Sequence, residues 1–111
     1  MTTFDDRERA FEKKFMLDEE LKFKIEARRD KALGEWAAKE LGLSGVRADE
    51  YVKALRNEGV VHGSEGVFEK VRKDFREAGV PMSDGQLREI MAQYMKQSLR
   101  EMQQGAHSTS A

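Results

Sequence analysis

The chain has 111 residues, with 20 Lys plus Arg against 21 Asp plus Glu, a formal net charge of −1, and nearly equal shares of hydrophobic (39%) and charged (37%) residues. That length and apolar share predict one domain with one modest core, and the balanced charge leaves no basic field for nucleic acid. The lack of Cys excludes disulfides, thiolate catalysis and Cys-based zinc sites.

The start, with acids already at Asp5 and Asp6, is foreign to a signal or transit peptide, so the chain reads as mature from Met1. No apolar stretch approaches a bilayer span, so no direct membrane insertion is expected. One proline, Pro81, and few β-branched runs predict an all-α fold, a small four-helix domain. Residues 1–31 carry nine acids and nine bases, yet hold four of the six phenylalanines: Phe4, Phe11, Phe15 and Phe23. At about 100° per residue, Phe4, Phe11 and Phe15 project within about 40° of one another. Leu21, Ile25, Ala32, Leu33 and Trp36 continue near that phase, so one amphipathic stripe is predicted from Phe4 to Trp36. The pairs Asp5–Arg9, Asp18–Lys22, Glu20–Lys24 and Glu35–Lys39, acid first, each add a few tenths of a kcal/mol, roughly. Residues 1–18 have only the thin phenylalanine line, and a lone helix of that length is marginal in water. They are expected to be a mobile extension that turns helical on a partner. From Asp30 onward Ala32, Leu33, Trp36, Ala37, Ala38 and Leu41 concentrate until Gly42, and this half joins the bundle.

A shorter helix is expected from Val46 to Arg56 on the narrow face of Tyr51, Val52 and Leu55, with Asn57–Gly59 as its C-cap and Val60–Gly63 as a connection. Ser64 then caps a core helix whose Val67, Phe68, Val71, Phe75 and Ala78 share one face, stopped by Gly79-Val80-Pro81. Ser83 and Gln86 form a capping box for a last helix, striped by Leu87, Ile90, Met91, Tyr94, Met95, Ser98, Leu99 and Met102 and ending near Met102. Residues 19–103 thus form the helical bundle. Residues 104–111, without a large apolar side chain, are expected to be a disordered tail.

Chemistry is sparse. His62 and His107 stand apart, in a connection and in the tail, without the partners a metal site needs. The carboxylates lie on solvated helix faces, and no nucleophile motif, P-loop or dinucleotide fingerprint is present. No enzyme activity and no required cofactor are expected. Gly63-Ser64-Glu65-Gly66 opens a helix whose exposed N–H groups could hold a phosphate, with a structural cap as the favoured reading. With Lys70 and Arg72 nearby, Ser64 makes a weak ATP or ADP candidate, although the lysine of a P-loop is missing. The methionines of the last helix and Trp36 are read as core.

The run from Phe4 to Phe15, with its Asp5-Asp6-Arg7-Glu8-Arg9 and Phe11-Glu12-Lys13-Lys14-Phe15, is followed by Phe23-Lys24-Ile25-Glu26-Ala27-Arg28-Arg29-Asp30 and Ala32-Leu33-Gly34-Glu35-Trp36. With Val71-Arg72-Lys73-Asp74-Phe75, Ala78-Gly79-Val80 and Ser83-Asp84, these motifs resemble the ATPase-inhibitor ζ subunit family of alphaproteobacterial F-type ATP synthase, over about residues 1–102. The resemblance implies a four-helix regulatory protein that binds the catalytic sector of the enzyme. Its N-terminal segment would insert at a catalytic α/β interface beside the γ stalk and block ATP hydrolysis. It also implies a cytoplasmic protein, peripheral to the inner membrane through the ATP synthase. In that picture Phe4, Phe11 and Phe15 fill apolar pockets, while Arg7, Arg9, Lys13 and Lys14, with Asp5, Asp6, Glu8 and Glu12, set the register. Rotation in the synthetic sense would expel such a wedge, the behaviour of a one-way pawl. Asn57–Gly63 and the Ser/Thr-containing tail depart from the family pattern, which bears on the docking surface of the bundle.

Two rival readings come from other classes. In one, the Phe4–Trp36 stripe is the oligomerisation seam of an adaptor, although it lacks sustained a/d aliphatic heptads. In the other, the bundle is a nucleotide-binding regulatory module built on Ser64, Lys70 and Arg72.

Overall fold

The computed structural model describes residues 3–108, and the side chains of residues 7–105. Four helices follow one another, and no strand occurs among the described residues: α1 (Thr3–Leu17), α2 (Glu19–Glu40), α3 (Gly45–Ala78) and α4 (Asp84–Ser108). The fold is all-α.

The core is the meeting line of α2, α3 and α4. Leu33 and Ala37 of α2, Leu55, Val67, Phe68, Val71 and Phe75 of α3, and Leu87 and Met91 of α4 form one buried cluster. Each fully buried Leu or Phe contributes about 1.5–3 kcal/mol of apolar transfer. Trp36 packs against this cluster with its ring centroid 5.4 Å from that of Phe75. The α2–α3 crossing is tight because Gly34 presents no side chain: a Cβ there would lie 3.2 Å from the Val52 Cα. Further along α2, the Ser98 hydroxyl of α4 donates to the Ile25 carbonyl at 2.7 Å, and Arg28 Nε donates to Glu101 at 3.0 Å.

The ends of the last two helices follow from their side chains. Gly79 takes the left-handed φ of 74° that closes α3, and Val80 N–H returns to the Phe75 carbonyl at 2.8 Å. Ser83 N–H donates to Gln86 Oε1 at 2.9 Å while Gln86 N–H donates to Ser83 Oγ at 3.1 Å, the reciprocal capping box read from the sequence.

Three boundaries differ from the expected ones. The stripe from Phe4 to Trp36 is divided, because Asp18 leaves the helix with φ −107° and ψ 105° and its Oδ1 accepts from Leu21 N–H, capping α2. The short helix expected to stop at Arg56 runs through Asn57–His62, so the connection shrinks to Gly63, whose φ of 71° and ψ of −166° kink α3. Gly59 is not a cap but a helical position where a Cβ would collide with the Asp30 carboxylate, and the Glu58–His62 pair at 3.0 Å spans that last turn. The last helix passes Met102 and continues to Ser108, where a tail without structure was expected. Gln103 and Gln104 are good helix formers, and neither proline nor a β-branched run breaks the ladder there. Residues 109–111 of that expected tail lie outside the described residues.

Candidate functional site

The segment singled out by its phenylalanine line is α1. Its 15 residues hold a helix whose only basic last-turn residue is Lys14, and Asp18 N–H closes it on the Lys14 carbonyl at 2.9 Å. Asp18 then serves the next helix, with Glu19 and Glu20 following in the first turn, where acids suit the dipole. A single extended residue therefore joins α1 to the bundle.

The cations Arg7, Arg9, Lys13 and Lys14 are exposed. Phe11 and Phe15 are half-buried, turned toward the chain itself. Phe4, Asp5 and Asp6 belong to α1 by their backbone, but their side chains lie outside the described residues. Met16 and Leu17, which the sequence reading passed over, are 77% and 81% exposed. No residue of α1 with a described side chain is fully buried, so α1 adds an edge to the fold without being part of its core.

Phe11 lines a surface the sequence reading missed. A cleft of about 140 Å³ between α1 and the last turns of α4 is lined by Glu8, Phe11, Glu12, Lys96, Leu99, Arg100 and Gln103. Its signal was present in the spacing. Glu8 and Glu12 are one helical turn apart, and so are Lys96 and Arg100, with an apolar residue of each helix, Phe11 or Leu99, among them.

The weak phosphate candidates each have partners within the chain. Ser64 Oγ accepts from Arg29 Nη2 at 2.9 Å. Lys70 pairs with Asp74 at 3.2 Å and lies 5.1 Å over the Tyr51 ring. Arg72 donates to Asp84 at 2.9 Å and pairs with Glu69 at 3.5 Å. Lys70 and Arg72 line one open cleft along α3, and Ser64 does not line it. Burial, reinforced by the Asp74 carboxylate, pushes the Tyr51 hydroxyl well above its ordinary pKa of 10.0.

The pair that sequence reasoning left on a solvated face is buried instead. Arg29 and Asp30 are 5% and 3% exposed, and Arg29 Nε donates to Asp30 Oδ1 at 2.8 Å. With Arg29 also bound to Ser64, and Gly59 clearing room for the Asp30 carboxylate, the pair ties α2 to α3 on both sides of the kink. Burial raises the Asp30 pKa above its ordinary value, although Arg29 and Arg56 pull it down; Glu26 pushes with burial. This is an ion pair that holds elements together, not a site open to a ligand. Among the described residues no cluster of His, Asp and Glu is grouped to hold a metal ion, and no helix is long and apolar enough to cross a membrane.

A family model described as ATPase inhibitor subunit zeta matches residues 1–101 of the chain. No curated protein and no solved structure matches it.

Proposed function

We propose the function from one premise: this chain belongs to the ATPase inhibitor subunit zeta family. The family name implies a regulatory protein that works on the ATP synthase. In our reading α1 is the inhibitory element, which leaves the bundle and enters a catalytic α/β interface beside the γ stalk, where it blocks ATP hydrolysis. The chain would act on the cytoplasmic face of the membrane, peripheral to it through the ATP synthase. The reading needs no cofactor and no reacting group on this chain.

One observation carries it. α1 is a formed helix joined to the bundle by the single non-helical residue Asp18, with no described side chain fully buried, while α2, α3 and α4 close a core among themselves. A wedge must be separable from its own domain, and a helix with no fully buried side chain suits that requirement. Phe11 and Phe15, with Phe4 beyond them, would serve as anchors, each truncation weakening binding by about 1 kcal/mol or more. The exposed Arg7, Arg9, Lys13 and Lys14, with Asp5 and Asp6, would fix register against charged groups of the interface. The helix already formed lowers the ordering cost that a disordered segment would carry on docking. The bundle would stay outside and hold the wedge at high local concentration.

The test is ATP hydrolysis by the purified soluble sector of an alphaproteobacterial F-type ATP synthase, titrated with the full chain and with a truncated chain beginning at Glu19. Inhibition by the first and none by the second is expected. Equal inhibition by both would move the function to the bundle, and none by either would end the proposal.

A further inference from the structure

We propose that the last turns of α4 are an intramolecular dock for α1, which engages Phe11, one of the residues that the inhibitory reading assigns to the partner. The dock stands on geometry alone, and only its consequence for inhibition rests on that reading.

Three observations support it. Phe11 of α1 and Leu99 of α4 line one small cleft, and both are half-buried. Glu8 and Glu12 line the same cleft with Lys96 and Arg100, two acids a turn apart facing two bases a turn apart. Finally, α4 outlasts the core it serves: its last fully buried residue is Ser98, yet the helix continues to Ser108. Those extra turns supply much of the wall against which α1 rests.

The dock is shallow. Lys96, Arg100 and Glu12 are exposed, so salt screens their attraction, and the apolar contact is partial. Asp18 supplies the hinge, since its extended backbone breaks the helix between α1 and α2. A shallow dock on a hinge gives two populations, stowed and released, and only the released one presents Phe11 fully. Apparent affinity for the partner is then the intrinsic affinity scaled by the released fraction, so a helix stowed nine-tenths of the time inhibits about tenfold more weakly than a free one.

Two variants of the full chain test this, Lys96→Glu combined with Arg100→Glu, and Leu99→Ser alone, each read in two ways. Amide hydrogen exchange of residues 7–17 in the free protein reports the dock itself. Half-maximal inhibition of the soluble ATP synthase sector reports its consequence. Exchange in α1 is expected to accelerate about tenfold in both variants, while residues 25–95 keep the wild-type pattern, and inhibition is expected to strengthen severalfold. Unchanged α1 exchange in both variants overturns the dock, even where the wild-type chain inhibits and the inhibitory reading stands. Accelerated exchange with no inhibition by any of the three chains upholds the dock and sinks the inhibitory reading. Accelerated exchange with weaker inhibition overturns the competition, because α4 would then be helping the partner bind.

Discussion

Asp30 carries two opposed influences in one side chain. Burial favours its neutral form, whereas Arg29 at 2.8 Å favours the carboxylate, and burial is the larger. A raised folded-state pKa means that the native state holds the proton more tightly than the unfolded chain does. The carboxyl therefore contributes stability that is fully present below its ordinary 3.8 and is lost as pH rises through the raised value. Asp30→Asn lacks this titration. The stability of the wild-type chain relative to Asp30→Asn should thus fall as pH rises from about 3.8, measured by urea unfolding across a pH series. A relative gain over the same range would mean that pairing with Arg29 outweighs burial. Asp30→Ala is a harsher change, since it leaves Arg29 buried without its carboxylate and should cost about 3–5 kcal/mol. Adjacent charges in a run such as Arg28-Arg29-Asp30-Lys31 read as a solvated face, and only the crossing with Gly59 and Ser64 of another helix puts two of the four inside.

At the scale of the element, α3 shows what local signals do and do not carry. The stop at Gly79 and the box at Ser83 were legible because glycine beside proline, and Ser-x-x-Gln, act through their own backbone. Gly59 and Gly63 look alike in sequence but act differently. Gly59 stays helical and yields space to Asp30, a tertiary cause that no window of sequence contains. Gly63 takes φ 71° and ψ −166°, a region almost restricted to glycine. A Cβ at Gly63 would meet nothing within 4 Å, so Gly63→Ala isolates the backbone cost. It should destabilise the chain by about 1–3 kcal/mol, read from the urea midpoint at constant m-value. A neutral result would mean that α3 straightens through residue 63 without loss, and the two-segment description of α3 would fail. The same distinction governs the candidate site. The phenylalanine line of α1 was readable from its period, but its cover was not, because Leu99 and Lys96 lie more than eighty positions away in the chain.

The whole molecule is longer than a compact chain of its length. Its radius of gyration is 15.4 Å, with extents of 46 × 28 × 22 Å, against about 13 Å expected for a single globule of this size. A bundle of three long helices with a fourth leaned along one edge has that form. The fold class and the family could be read from the chain, whereas the state of α1 could not, since its pattern suits a helix on a partner and a helix on α4 equally. The energetic consequence is that α1 should be removable. Among the described side chains of α1, Phe11 and Phe15 lose part of their apolar exposure, and Asp18, the cap of α2, goes with the segment, so the chain beginning at Glu19 should lose no more than about 3 kcal/mol of stability. Its thermal unfolding, followed by the fluorescence of Trp36 beside Phe75, should keep a single cooperative transition near that of the full chain. A loss of about 4 kcal/mol or more would mark α1 as part of the core. An element so bound does not leave its domain without unfolding it, and then neither the wedge nor the dock would describe this protein.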